Sequence, residues 1–282
     1  MSCWAENGPH AMRREAIAIL SVFVSGAVMY GALWNGRRLR DEGVFLSMVA
    51  GAKEESSSIY HRLFQFIHKV NSGLCKSRHV IKGELGNPLE PDVHVCFDQV
   101  QPPCTVLSFG IGDNFVFDDL MLSVGCRVFS FDPSMGSSTA RKKRHPTRHF
   151  FFEYGLGPSD GPFRGKSTLR NTDVNGYAVK RFRTICTELN ITQVDVLRID
   201  CEACEWDVLG TIPWNMVHQF LLEVHFYDGN AAETQLRILE QIALSSTLQL
   251  FHSERNRNNN VQLHVEYPDV LYQVYELGFI RP

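Results

Sequence analysis

The residues of this chain best suited to chemistry are acids that follow two apolar runs. Asp200, Glu202 and Glu205 come directly after Val194–Ile199 (VDVLRI), and Glu223 and His225 lie at the end of a run beginning at Phe220. Two apart in an extended segment, Glu223 and His225 share a face. Carboxylates crowded into a cleft hold some of their number protonated at unusually high pH. A carboxylate so tuned, or His225, could take the proton of a substrate hydroxyl as its oxygen attacks an electrophile. His225 is the best candidate base, because an imidazole titrates near neutrality. Capping of the next helix is the plainer role for Asp200, Glu202 and Glu205. Oxygen and imidazole donors at Asp200, Glu202, Glu223 and His225 also suit a divalent ion. No spacing among them is diagnostic, so no metal is expected. Cys201-x-x-Cys204 has no second pair to complete a zinc site, and it is expected to pack as two small residues at a helix start.

A second stretch, Thr105–Ser134 (TVLSFGIGDNFVFDDLMLSVGCRVFSFDPS), reads as strand, glycine turn, helix and strand. Thr105–Phe109 is an apolar run of the buried parallel type. Gly110 and Gly112 let the backbone turn tightly and approach a ligand closely. Asp113 and Asn114 can cap the helix, whose buried face is expected to hold Phe117, Leu120, Met121 and Val124. Gly125 suits its exit. Cys126–Phe131 is the second strand and ends in Asp132. An acid there, about 20 residues beyond the glycines, can accept hydrogen bonds from a ribose. Phe115 stands where a dinucleotide fingerprint has its third glycine. A nucleoside ligand without a pyrophosphate, such as S-adenosylmethionine, therefore fits better than a dinucleotide. The alternative is a βαβ unit whose glycines serve only the turn.

The elements that must position these groups alternate along the chain. His149–Tyr154 reads as a third strand ending at Gly155-Leu156-Gly157, Val194–Ile199 as the fourth and Phe220–Val224 as the fifth. Ala231–Leu244 reads as a helix. Leu248–His252 and Val270–Phe279 read as the last strands, paired as a hairpin. Such alternation argues a mostly parallel sheet with helices on both faces. Ligands of open α/β sheets bind beyond the carboxyl ends of the strands, so the acids should converge on the Gly110–Gly112 turn. Polar Pro158–Asn175 is expected as a loop over those ends, and Tyr177–Leu189 as a helix. The basic run Arg141–Arg144 reads as a solvated face.

Net charge is -3, which argues against a nucleic-acid partner. Eight cysteines are too few for a disulfide scaffold at this length, and their scattered spacing does not settle the redox compartment. After a polar segment, residues 1–15, Ala16–Trp34 is free of charge for about 19 residues, long enough to cross a bilayer. An uncleaved signal anchor is preferred to a cleaved signal peptide, and to a buried helix because the segment is apolar all round. Arginines flank it on both sides, so orientation stays open. A large domain behind such an anchor most naturally lies in the secretory lumen, and the sequon Asn190-Ile191-Thr192 fits that side. If the anchor is cleaved, the protein is secreted. Residues 35–95 read as a stem with a lead-in helix carrying Ile59, Leu63, Phe64, Ile67 and Val70, capped from Ser56–Ser58. Residues 96–282 read as the catalytic domain.

Several motifs, in order, carry a family resemblance. VDVLRIDCEACEWDVL resembles the D-x-E-G-x-E motif of FkbM-type S-adenosylmethionine-dependent methyltransferases, with Asp200, Glu202 and Glu205 in place, and LLEVHF matches the Glu-x-His that follows it. SFGIGDNFVFDDLM, VFSFDPS and FFFEYGLG look closest to the methyltransferase-like 24 group. The resemblance implies a class I Rossmann-like fold, a seven-stranded sheet with its last strand antiparallel. It implies Gly110 and Gly112 at the methionine end of the cofactor, Asp132 on the ribose, and Gly155 and Leu156 beside the adenine. Two positions depart. Ser108 replaces the acid that opens the glycine motif, with Asp113 a possible substitute, and Ala203 replaces the motif glycine. The expected activity is O-methylation of a small-molecule or glycan-type acceptor, with Asp200, Glu202, Glu223 or His225 handling it. An inactive binding protein of the same fold and a sugar-nucleotide enzyme are the alternatives.

Overall fold

The computed structural model describes residues 59–82, 92–112, 114–135, 144–167, 172–202, 204–226, 231–257, 261–266 and 269–282. All belong to one unit, Ser56–Pro282. The span Ala16–Trp34, the cap Ser56–Ser58, Asp113, the basic residues 141–143 and Ala203 lie outside the described residues. No helix among the described residues is long and apolar enough to cross a membrane.

A helix over 59–68 (α1) leads to the hairpin β1 (Arg78–Ile81) and β2 (Val93–Cys96). Then come β3 (Thr105–Phe109), α2 (Val116–Val124), β4 (Arg127–Phe131), β5 (His149–Phe152) and β6 (Gly155–Leu156). β7 (Gly161–Ser167), β8 (Thr172–Lys180), α3 (Phe182–Glu188), β9 (Val194–Ile199), α4 (Glu205–Val208) and β10 (Val217–His225) follow. The chain ends with α5 (Ala232–Ser246), β11 (Gln249–Arg255), β12 (Gln262–Glu266), β13 (Asp269–Tyr272) and β14 (Val274–Ile280). Seven of these strands form the central sheet, in the order β11-β14-β10-β9-β3-β4-β5. Neighbours from β5 to β10 run parallel, while β14 is antiparallel to both β10 and β11. The expected sheet, with its last strand reversed, is therefore present.

β3, β4 and β9 are apolar on both faces because both faces are covered. One face packs Leu107, Phe109, Phe131 and Ile199 against Leu63 and Ile67 of α1, Phe182 of α3 and Leu239 of α5. The other packs Val106, Val128 and Val196 against Phe117 and Met121 of α2 and Val95 of β2. Each such side chain contributes about 1.5–3 kcal/mol by leaving water. Of the five residues expected on the apolar face of the lead-in helix, Leu63 and Ile67 are buried, Ile59 and Phe64 are half-buried, and Val70 lies beyond its end and is exposed. α2 closes at Gly125, in the left-handed region at φ 110°, whose N–H donates to Leu122 O. Its buried face is Phe117, Asp118, Met121 and Leu122; Leu120 and Val124, expected there, are only half-buried.

Four local expectations change. Pro158–Asn175 holds strands, since β7 and β8 form an antiparallel hairpin that β6 joins. Pro162 is accommodated because β7 is an edge strand, where a missing N–H breaks no ladder bond. The helix expected from Tyr177 begins only at Phe182, because Tyr177–Lys180 completes β8. The strand expected over Val270–Phe279 divides at Gln273 into β13, which pairs with β12, and β14. The fourth change concerns cysteine. Cys75–Cys96, Cys104–Cys126 and Cys201–Cys204 are disulfides. Cys201 and Cys204 are thus bonded to each other and are not merely small packing residues.

Candidate active site

β3 ends at Phe109, and the chain bends through Gly110 (φ 74°) and Gly112 (φ 59°). Gly110 N–H donates to Phe131 O at 2.9 Å, and Asp200 N–H donates to Phe109 O at 3.1 Å. These bonds lace together the ends of β4, β3 and β9. A Cβ on Gly110 would lie 1.5 Å from the Asp200 carbonyl oxygen, so contact between two backbones demands glycine there. A Cβ on Gly112 would meet nothing within 4 Å. Gly112 N–H donates to Asp132 Oδ2 at 2.7 Å, while Oδ1 accepts the Ser134 N–H at 2.7 Å and hydroxyl at 2.6 Å. Asp132 therefore faces the bend, buried, with one lone pair left on Oδ2 and none on Oδ1. A Cβ on Gly155 would sit 3.3 Å from Pro133 Cγ, next to this turn. Leu156 is buried in the apolar core. Asn114 Oδ1 accepts the Val116 N–H at 3.0 Å at the start of α2.

Beyond the bend lies a row of charges on one sheet face. Arg198 on β9 pairs in register with Ser108 on β3 and Leu221 on β10. Its guanidinium meets Asp200 at 3.1 Å. Glu223 pairs with Glu276 on β14, and Glu276 with Glu254 on β11. Asn256 Nδ2 donates to Glu223 Oε1 at 2.8 Å. Asp118 of α2 comes against Ser108 and Ser130, so the acid on this side of the glycine motif is supplied by the helix. Burial raises Asp118 to about 7, with Arg198 opposing. Burial and then Glu223 raise Asp200 to about 7, again against Arg198. Glu276 is raised well above the usual carboxylate range by burial and Glu223. Burial works against the charge of Arg198 too, but Asp200, Glu276, Asp118 and Glu223 keep it a cation.

His225 behaves differently from the expectation of a base. Its ring is 3 % exposed and its Nδ1 lies 3.0 Å from Oε1 of Glu205, which is fully buried. Its Nε2 lies 3.4 Å from Glu202 Oε2. Burial favours the neutral ring, yet the hydrogen bond to Glu205 and the charges of Glu205, Glu223 and Glu202 overcome it and lift His225 to about 9. At neutral pH the ring is an imidazolium and has no lone pair to accept a proton with. Burial raises Glu202 to about 7, with His225 opposing and Asp200 and Glu205 adding to the rise. Glu202 sits in the left-handed region, at φ 58°, inside the loop closed by Cys201–Cys204. The groups suited to accept a proton near neutrality are thus Asp200 and Glu202.

The structure brings Asp200, Glu202, Glu223 and His225 together, and sets Asp200 against the Gly110 bend. Arg198, Asp118 and Glu276 are not among the site residues the sequence suggests, and the pairing of Glu205 with His225 is not legible there either. Lone charges inside the apolar strands VDVLRI and VYELGFI were the available signal, because a buried ion needs a partner.

Residues 75–281 match the family profile of a methyltransferase domain. The chain is 25 % identical over 226 residues to human probable methyltransferase-like protein 24, covering 71 % of this chain and 59 % of that protein. The rat protein of the same name is 26 % identical over 129 residues, 44 % of this chain and 33 % of its own length. This chain thus spans less than two thirds of these curated relatives. A solved Burkholderia thailandensis 1,6-didemethyltoxoflavin-N1-methyltransferase with bound S-adenosylhomocysteine is 13 % identical at a TM-score of 0.33, over 98 % of this chain and 93 % of the other. A geranyl diphosphate methyltransferase in complex with sinefungin is 12 % identical at a TM-score of 0.34, over 66 % and 74 %. The FkbM subdivision suggested by the acidic motif is not part of the profile match. By the match over residues 75–281, the chain belongs to the methyltransferase-domain family.

Proposed function

We propose that this chain transfers a methyl group from S-adenosylmethionine to an acceptor hydroxyl. The observation that carries the reading is the Gly112 bend, with open space where a side chain would stand and Asp132 aimed at its amide. These residues fit the cofactor: the bare backbone admits an adenosyl group, and the spare lone pair on Asp132 Oδ2 can accept a ribose hydroxyl. When bound, S-adenosylmethionine supplies an electrophilic methyl group and its own leaving group. The chain must then hold the acceptor in line and remove its proton. Asp200 or Glu202, titrating near 7, takes that proton, and the imidazolium of His225 orients Glu202.

A small-molecule or glycan-type acceptor in the secretory lumen fits best, with Ala16–Trp34 as the membrane anchor. Three disulfides favour an oxidising compartment. Asn190, exposed in a turn after α3, is open to glycosylation. Loss of a mobility shift on glycosidase treatment in the Asn190→Gln variant supports lumenal placement; an unshifted parent overturns it. A binding protein without activity is the second reading, favoured by the internal hydrogen bonds that already engage both Asp132 oxygens. Calorimetry with S-adenosylhomocysteine and a nucleotide sugar tests the proposal. Binding of the former, weakened at least tenfold in Asp132→Ala, supports it. Binding of neither, or of the nucleotide sugar alone, refutes it.

A further inference from the structure

A second cluster lies at the β11 edge of the sheet. His94 on β2 and His252 on β11 stack face to face, with ring centroids 3.6 Å apart and planes 16° from parallel. Glu254 follows His252 by two residues in β11, so both side chains leave the same face. Donor atoms of His94, His252 and Glu254 all lie within 4.8 Å of one another. His94 Nδ1 and His252 Nε2 are buried and have no hydrogen-bond partner among the described residues. An unpaired buried nitrogen is costly, and here two belong to rings in contact. A shared ligand would satisfy both at once.

The donor chemistry narrows that ligand. Each of the two imidazoles offers one ring nitrogen as a donor. Glu254 adds a partly exposed carboxylate whose ion pair to Arg257 is long, at 3.6 Å. Two imidazoles and one carboxylate are a familiar set for zinc, with a fourth position open to solvent. Ligand atoms on a tetrahedral zinc stand about 3.4 Å apart, so the three must close by about 1.4 Å at most, and the two rings must swing out of their stack so that each lone pair points at the ion. Arg78 opposes a cation here; its guanidinium is held by Phe251 O at 3.2 Å, and Asp92, paired with Lys82, offsets it. Another cluster among the described residues, Cys75, Cys96 and Asp98, is unsuited because its sulfurs are bonded to each other.

We propose that His94, His252 and Glu254 form a zinc site that pins the β1–β2 hairpin to the sheet edge. The proposal does not rest on the methyl-transfer reading, which is carried by the Gly112 bend and Asp132.

The test uses the full chain without a polyhistidine tag, stripped with a chelator and titrated with zinc against a chromophoric competitor. One equivalent of tight zinc is expected, and cobalt in its place should give the visible bands of a four-coordinate ion. His252→Ala should weaken zinc by more than the about 10–100-fold that loss of an outer-shell partner costs. Glu254→Gln, at a partly exposed edge position that the fold tolerates, should weaken zinc and alter the cobalt spectrum. The proposal is overturned if the stripped parent takes up less than half an equivalent. It is equally overturned if a full equivalent binds with affinity and cobalt spectrum unchanged in Glu254→Gln and His252→Ala.

Discussion

Changing each glycine of the bend to alanine separates two jobs done by neighbouring residues. In Gly110→Ala the new Cβ would lie 1.5 Å from the Asp200 carbonyl oxygen, whereas real Cβ atoms essentially never approach within 3.0 Å. The carbonyl must therefore retreat by about 1.5 Å, which strains the Asp200-to-Phe109 and Gly110-to-Phe131 hydrogen bonds. Each bond contributes about 0.5–1.5 kcal/mol. The left-handed backbone adds about 1–2 kcal/mol for any side chain. The sum is about 3 kcal/mol, which in a domain of this size lowers the melting temperature by roughly 6–12 °C. Gly112→Ala meets no neighbour and carries only the backbone term, about 1 kcal/mol or a fall of roughly 2–4 °C. Its methyl group instead enters the space proposed for the cofactor. S-adenosylhomocysteine affinity should then fall at least tenfold, about 1.4 kcal/mol. Melting curves and calorimetry on both variants decide. A Gly110→Ala protein that melts like its parent would refute the steric argument. A Gly112→Ala protein that binds like its parent would remove the bend from the cofactor site.

Three further outcomes follow from the same geometry. His225 titrates at about 9 when folded and near 6.5 when unfolded, so its stabilisation is whole below pH 6.5 and lost as pH rises through 9. Glu205→Gln should flatten that fall, by about 1–3 kcal/mol in chemical denaturation between pH 6.5 and 9.5; an unchanged slope would break the His225–Glu205 assignment. Asp118, raised to about 7, likewise stabilises at low pH and loses that contribution as pH climbs through 7. Asp118→Asn should therefore gain on the parent by about 1–3 kcal/mol from pH 5 to pH 8, and no gain would show the acid to be solvated. Loop entropy assigns about 3.4 kcal/mol each to Cys75–Cys96 and Cys104–Cys126 and about 2 kcal/mol to Cys201–Cys204. Paired serine variants should lose stability in that order under non-reducing denaturation, and a parent indifferent to reductant would disprove the pairing.

What could be read from sequence was what depends on residues near in the chain. The runs TVLSF, CRVFSF and VDVLRI are largely apolar without strict alternation, as doubly covered strands are, and a mostly parallel sheet follows once they alternate with helices. Asp132 was legible because the acid and the glycines belong to one βαβ unit, and Asp132 does bond the Gly112 amide. Pairings set by tertiary packing were not legible. Glu205 reaches His225 only because the loop after β9 and the end of β10 are brought together by the parallel register of Val217 with Val194. Cys104 and Cys126 are joined because they precede adjacent parallel strands, a relation that spacing alone does not reveal. The histidine that looked like the base is the clearest instance. An imidazole in water titrates near neutrality, but one locked against a fully buried carboxylate stays charged, and the basic role passes to acids that burial makes reluctant to ionise. Acid and base assignments at this site therefore follow from where each group is buried, and the chemistry expected of isolated side chains is reversed.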